Sequence, residues 1–209
     1  VNGTAIANNS VDLSLGFNDE AVAKLTVRYD DAGLMNLSAR YAPSSGDEAG
    51  LVMTGTDQFV SKPYGLCIQT SLDAKAPAER CNADTVAGCP KFVAAGDSFP
   101  VTLRAVAWQA DGEALTAAQL CTGNATTPNF RLDGIALTPQ RTAPKDPGDD
   151  GLLLPKEQLT YNHALGASTT VERSYSEVGI ITLDAVPSAY FGQAINGGSS
   201  NRIGRFVPA

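Results

Sequence analysis

The stretch YDDAGLMNLSA, residues 29–39, aligns without a gap with YSEVGIITLDA, residues 175–185. In both copies a segment containing Thr and Val ends in Tyr, a turn with an acidic residue and Gly follows, and alternating residues then continue through Leu and Ala. The turn glycines, Gly33 and Gly179, supply a positive φ that other residues adopt only at a cost. This match indicates two copies of one unit, each predicted as strand, corner and strand, rather than two corners that converged by chance.

The repeated pattern resembles the E strand, the corner and the F strand of an immunoglobulin-like sandwich. A closing strand follows each copy, QFVSKP at residues 58–63 and RFVP at residues 205–208. Both closing strands place Pro directly or shortly after Phe-Val, which is typical of an edge strand that leads into a linker. The predicted fold class is all-β, with immunoglobulin-like β-sandwich material arranged as one partial and one complete unit in tandem.

The two copies differ in the length of chain that precedes them. The segment before Tyr29 is too short for a full set of earlier strands, whereas residues 91–175 have room for one. We therefore predict a partial immunoglobulin-like domain made of C-terminal strands at residues 1–66, a disulfide-bearing linker at 67–90 and a sandwich at 91–209. Two explanations of the partial domain stay open: its opening strands precede Val1, which we favour, or it is a reduced sandwich that leans on its neighbour.

The predicted sandwich at residues 91–209 contains one clear strand pattern. Residues 99–108 alternate so that Phe99, Val101, Leu103, Ala105 and Ala107 fall on one face. Further strands are predicted at residues 92–94, at 127–132 with its continuation through 134–139, at 151–159 and at 168–175, with a helical turn at 113–120.

The four cysteines lie in the central part of the chain, contain no C-x-x-C pair and are remote in sequence from the single histidine, His163. This pattern favours disulfides over a zinc site, and disulfides indicate an oxidising compartment. Four cysteines allow three pairings. We favour Cys81 with Cys89 and Cys67 with Cys121, and leave the alternatives open.

Composition excludes two classes of partner. The formal net charge is -7 and the chain carries no Lys/Arg stripe, so we expect no nucleic-acid binding. No apolar stretch approaches the roughly 18 to 20 residues that cross a bilayer, so we expect no membrane span.

The inventory of reactive groups predicts no enzyme, no catalytic residue and no cofactor. A triad would have to centre on His163, yet the sequence contains no G-x-S-x-G motif, and a surface position is predicted for this histidine. A pair of carboxylates for glycoside hydrolysis stays open, because their separation is spatial.

Two groups of acids were weighed as calcium ligands. Asp146, Asp149 and Asp150 share one Gly/Pro loop, while Asp30 and Asp31 lie at the first corner. Neither group matches an EF-hand loop. We therefore predict solvated turn acids and no metal ligand.

Four segments of the second unit resemble the MshQ family, found among biogenesis proteins of the mannose-sensitive haemagglutinin type IV pilus of Gram-negative bacteria. They are residues 92–107, 127–130, 175–179 and 203–208. The closing GRFVP is the most specific, and in the family it continues further, which indicates an internal fragment of a longer protein. The resemblance implies a large, secreted, pilus-associated surface protein without established catalytic residues.

The predicted function is therefore a non-catalytic structural and adhesive module at the cell surface or outside the cell. Its predicted partners are neighbouring domains of the same protein, pilus subunits or a surface glycan. The alternative is a carbohydrate-binding module, whose platform would come from Trp108, Tyr64, Tyr161 or Tyr190. Filling of the core or a corner is the favoured role for each of these aromatics.

Overall fold

The computed structural model describes residues 10–70, 90–144, 150–156 and 159–209. The chain divides into two compact units, Val1–Asp30 and Asp31–Ala209, which are considered separately below. The described elements are β1 (Gly33–Tyr41), β2 (Met53–Ser61), β3 (Gly65–Thr70), β4 (Ser98–Val106), α1 (Ala117–Leu120), β5 (Leu132–Ala143), β6 (Leu153–Leu154), β7 (Thr160–His163), β8 (Thr169–Tyr175), β9 (Gly179–Val186), β10 (Gly198–Ser199) and β11 (Ile203–Phe206). The all-β prediction is confirmed.

The first unit contains a local turn but no strand at residues 11–30. The Asn18 side-chain oxygen accepts hydrogen bonds from the backbone N–H groups of Glu20, at 3.1 Å, and Val22, at 2.8 Å. The strand predicted to end at Tyr29 is therefore wrong for the first copy. A strand persists only when neighbours pair its backbone. In the second copy the strand that ends at Tyr175 is paired on both sides, by β4 and by β6, whereas residues 11–30 form no strand ladder within the described part of the chain.

The second unit opens with a hairpin in which β1 pairs antiparallel with β2, from Gly33 opposite Ser61 to Tyr41 opposite Met53. Because side chains alternate along a strand, the register separates two faces. One face carries most of the apolar side chains and is called the hairpin face. Its members include Met35, Leu37, Ala39, Tyr41, Met53 and Phe59, together with the charged residue Asp57 opposite Leu37. The opposite face is largely polar, and there Gln58 donates a hydrogen bond to Asn36 at 2.7 Å.

The remaining strands form a sandwich of two sheets. One sheet has the order β3-β4-β8-β6, and the other has the order β10-β9-β5-β7 with β11 also paired to β9. β4 confirms the predicted alternation, because Phe99, Val101, Leu103 and Ala105 are buried. Ala107, which follows the strand, is only partly buried.

An aromatic cluster fills one part of the sandwich core. The ring of Phe206 lies 5.3 Å from Phe92, 5.4 Å from Phe99 and 5.1 Å from Tyr175, measured between ring centroids. Contacts of this kind are stabilising beyond the apolar area that they bury. The predicted closing strand therefore carries a main core residue of the sandwich.

The repeat is confirmed in its second half. Gly33 and Gly179 both begin a strand with positive φ, 153° and 126°. Each of these strands pairs antiparallel with the predicted closing strand of its copy. β1 pairs with β2, which contains Phe59, and β9 pairs with β11, which contains Phe206. At Gly179 a Cβ atom would also lie 2.3 Å from the carbonyl oxygen of Ala143, so the close approach of two backbones requires glycine there.

The predicted boundaries of the linker and the sandwich need correction. β3 pairs with β4 over its whole length, and its residues Leu66 and Ile68 belong to the sandwich core. A strand buried in this way is part of the domain, so the strands of the sandwich begin with β3 at Gly65 and not at residue 91. Only residues 71–89 of the predicted linker stay unassigned, since they lie outside the described residues.

One disulfide joins Cys67 to Cys121, with the two Cα atoms 5.0 Å apart. This pairing agrees with the favoured one, although both cysteines lie inside the sandwich and do not bridge from a linker. The bond ties β3 to the residue after α1 and packs beside Val106 and Leu120. The predicted partnership of Cys81 with Cys89 falls outside the described residues.

Candidate functional site at the aromatic end of the sandwich

The four aromatics weighed as a sugar platform do not share one exposed surface. Tyr161 and Tyr190 are buried in the core. Tyr64 is half-buried, and its hydroxyl donates to the backbone oxygen of Glu113. Trp108 is 53% exposed, so the prediction that it fills the core or a corner is wrong. It follows the last inward position of β4, where the strand has ended and no sheet covers the ring.

His163 is fully buried, which corrects the predicted surface position. The alternation of β7 explains this, because Tyr161 and His163 point inward while the residues beside them are exposed. The Nδ1 atom lies 2.9 Å from the backbone oxygen of Ala164. The Nε2 atom is buried and has no hydrogen-bond partner within the described part of the chain. This environment suits a neutral imidazole.

Burial lowers the pKa of His163, and hydrogen bonds to backbone oxygens oppose this effect only in part. The unfolded chain takes up the proton near pH 6.5, whereas the folded chain resists it. We therefore expect full stability above pH 6.5 and a loss of up to about 1.4 kcal/mol per pH unit as the pH falls below that value towards the folded pKa.

Urea unfolding between pH 7.5 and 5.5 measures this effect. Because the chain has a single histidine, His163→Gln provides a matched control and should flatten the dependence in this window. An unchanged slope in that variant would contradict the assignment to His163.

The acidic residues weighed as calcium ligands occupy separate structural roles. One carboxylate oxygen of Asp31 accepts hydrogen bonds from the backbone N–H groups of Ala32, at 2.7 Å, and Asn129, at 3.0 Å. Asp150 pairs with Arg141 at 3.1 Å, and Asp30 pairs with Arg28. Asp146 and Asp149 lie outside the described residues. Within the described ranges, no three acidic, His or Cys side chains come together as a metal site.

One end of the sandwich carries a chain of ring contacts from the core to the surface. The ring of Phe130 lies 5.2 Å from His163 and 5.1 Å from Tyr190, and Tyr190 lies 4.7 Å from Phe191. We call these four residues the aromatic end cluster. Phe191 is 57% exposed, whereas the other three are buried. Three buried rings in tilted or edge-to-face contact therefore lead to one exposed ring.

Phe191 is held in a tight turn with strained backbone geometry. Tyr190 and Gln193 exchange two backbone hydrogen bonds, of 2.8 and 2.9 Å, around Phe191 and Gly192. Both central residues have positive φ, 47° and 77°, a geometry for which Asn-Gly is the preferred pair. A bulky residue in this region is an outlier and costs on the order of 1–3 kcal/mol. Strain of this kind concentrates at functional sites.

Phe191→Asn is expected to stabilise the chain by about 1 kcal/mol, because Asn tolerates positive φ. Denaturant unfolding monitored by circular dichroism measures the change. The matched control is Leu165→Asn, which also removes an exposed apolar side chain but lies at no positive φ and should give no stabilisation. Destabilisation by Phe191→Asn would show that the ring contributes more than its backbone strain costs.

The sequence interpretation missed Phe191 as a functional candidate. The available signal was the dipeptide Phe-Gly inside AYFGQ, residues 189–193, where a turn would ordinarily carry Asn-Gly or Gly-Gly. Phe residues are usually buried in a core, so the sequence alone does not predict that Phe191 is exposed.

Three profiles of one family match the chain. Residues 1–56 match the profile described as the domain of unknown function DUF6701, first Ig-like domain. Residues 62–172, more than half of the chain, match DUF6701, second domain, and residues 177–209 match DUF6701, third domain. No curated protein and no solved structure matches the chain. No helix within the described residues is long and apolar enough to span a membrane.

Proposed function

We propose that this chain, which belongs to the DUF6701 family, is a non-catalytic structural and adhesive module of a large secreted bacterial surface protein, on the support of its exposed surfaces and of its sequence resemblance to the MshQ family. The observation that carries the proposal is the exposure of Phe191 beside the buried ring of Tyr190 despite its backbone strain. An exposed aromatic anchor of this kind is a frequent hot spot of protein interfaces.

The hairpin face supports contact with a neighbouring domain. In the repeat, Met35, Leu37 and Ala39 correspond to Ile181, Leu183 and Ala185, which are all buried in the sandwich core. In the hairpin, Met35 and Leu37 are only half-buried, and Tyr41 and Met53 are exposed. Partly exposed apolar side chains grouped on one face and accompanied by a charged residue, here Asp57, are typical of interaction sites.

The resemblance to the MshQ family supports the finer part of the proposal, which is association with a type IV pilus of the mannose-sensitive haemagglutinin class. The disulfide between Cys67 and Cys121 supports an extracellular or cell-surface location, because disulfides persist in oxidising compartments. The burial of His163 supports a role without catalysis, since a triad needs an accessible base.

Binding to purified mannose-sensitive haemagglutinin pili tests the adhesive role. The 209-residue chain should be retained on immobilised pili, and Phe191→Asn should lose that retention while gaining stability. The control variant Trp108→Ala removes a different exposed ring and should bind as the parent does. Equal binding by the Phe191 variant would remove Phe191 from the interface, and absence of binding by the parent chain would reject the pilus as a partner.

The exposure of Trp108 favours one alternative, a carbohydrate-binding module. Tryptophan rings stack on the apolar faces of sugars, whose hydroxyls then find polar partners. Glycan-array binding by the parent chain that Trp108→Ala abolishes, and that Phe191→Asn retains, would favour this alternative over the adhesive role.

A further inference from the structure

The family profiles and the structure divide the chain differently. The profile of the second domain ends at residue 172 and that of the third begins at residue 177. In the structure, however, residues 177–209 supply β9, β10 and β11 to the same sandwich as the strands of residues 62–172. We call residues 177–209 the closing segment and the sandwich without it the open sandwich.

The closing segment occupies a central position. β9 pairs with β5 over residues 136–143 on one side and with β10 and β11 on the other. Its residues Ile181, Leu183 and Ala185 enter the core, as do Ile203 and Phe206 of β11. Without this segment, one edge of β5 would lose its pairing and the inner faces of β3 and β4 would lose their cover. Open edges and uncovered apolar faces are the features that recruit a strand from another chain.

The segment is also bonded on its outer side. The backbone N–H of Phe92 donates to Arg205 at 2.9 Å, that of Ala95 donates to Val207 at 2.7 Å, and that of Leu66 donates to Gly197 at 3.1 Å. The acceptor is therefore a slot with backbone partners on both sides. β5 forms one wall, and residues 92–95 with Leu66 form the other.

Covalent connections leave this segment separable. It joins β8 through a short turn in which Glu177 and Val178 are exposed. The described disulfide lies wholly within the open sandwich, between Cys67 and Cys121. A cut in the turn would therefore leave the closing segment held by non-covalent contacts.

We propose that residues 177–209 act as a donor segment, which the open sandwich accepts non-covalently from a second copy of the chain in the position that the chain's own segment occupies here. Exchange of an identical element between copies is a low-cost route to association, because it reuses contacts that the single chain already makes. The donor has the alternating apolar pattern that strand addition requires.

A cleavable full chain tests the non-covalent part. A protease site is inserted between Glu177 and Val178, and the uncut chain serves as the folded control. After cleavage the two pieces should elute together, and removal of the smaller piece in urea should abolish refolding of the larger one. The proposal is overturned if the pieces separate in buffer without denaturant, or if the larger piece refolds cooperatively alone.

Paired cysteine variants test exchange between copies. Thr138 lies opposite Asp184 in the register of β5 and β9. Chains with Thr138→Cys and chains with Asp184→Cys are unfolded and refolded together, and a disulfide-linked band at twice the chain mass is expected. The combination of Thr138→Cys with Thr182→Cys, which is two residues out of register, should lack this band.

A single chain that carries both Thr138→Cys and Asp184→Cys calibrates the geometry. It should form the bond within one molecule when refolded at high dilution. If this internal bond forms and the mixed chains give no dimeric band, exchange between copies is rejected. Pilus or glycan binding does not enter these measurements, so their outcome is separate from that of the adhesive role.

Discussion

Replacing Phe206 by alanine is expected to lower the free energy of unfolding by about 3–5 kcal/mol, the usual range for removing a core aromatic side chain. Phe206 is 1% exposed and contacts three other core rings, those of Phe92, Phe99 and Tyr175. These three partners lie outside the closing segment, so the substitution also weakens the attachment of that segment. Urea unfolding followed by far-UV circular dichroism measures the loss.

The same substitution at Phe191 provides the control. Its ring is mostly exposed and contacts one buried partner, Tyr190. Phe191→Ala should therefore cost no more than about 1.5 kcal/mol, the upper range for one aromatic pair. If Phe206→Ala lowered the free energy of unfolding as little as Phe191→Ala, Phe206 would not occupy the centre of the core.

The strands that could be predicted from sequence are those with one buried face. β4 alternates strictly because one side meets the opposing sheet, and a period of two is visible in the sequence itself. The strand that follows Gly179 was predicted for the same reason, together with its repeat at Gly33. The disulfide between Cys67 and Cys121 was one of two favoured pairs, but composition could not have placed both cysteines within the sandwich.

Other elements depend on partners that a local pattern does not show. β5 runs through Gly134, which has positive φ, and its register with β7 shifts between Leu132 and Ile135. The sequence predicted one strand that starts at residue 127 and continues through 139, but residues 127–130 form a turn, in which the backbone N–H of Phe130 donates to the backbone oxygen of Thr127. β7 was missed, because its four residues present only Tyr161 and His163 to the core.

The candidate site also contains some features that a local pattern predicts and others that depend on distant partners. The buried state of Tyr190 follows from its type, but the exposure of Phe191 depends on a turn whose two backbone bonds the sequence does not display. A surface position was predicted for His163 because no catalytic motif surrounds it, whereas pairing of β7 with β5 turns its side chain inward. Positions set by long-range pairing are thus the ones that sequence alone leaves undetermined.

Long-range pairing also determines why Gly198 does not tolerate a side chain: it lies where β10 of one sheet approaches β3 of the other. A Cβ atom at this position would lie 1.8 Å from the backbone oxygen of Leu66 in β3. Contact with a backbone atom cannot be relieved by a rotamer change, so β10 and β3 must separate. The neighbouring hydrogen bond from Leu66 to Gly197 would be strained as well. We expect Gly198→Ala to destabilise the chain by about 3 kcal/mol or more, at the upper end of overpacking effects.

Gly55→Ala in β2 is the matched control, because no atom lies within 4 Å of its added Cβ and its φ is not positive. Substitution there should be neutral or should stabilise by up to about 1 kcal/mol, since alanine reduces the freedom of the unfolded chain. Urea midpoints of the two variants measure the contrast. If Gly198→Ala matched Gly55→Ala, the two sheets could not approach at β3 and β10 as closely as described. The closing segment would then lack one of the two sets of backbone partners that hold it in the sandwich.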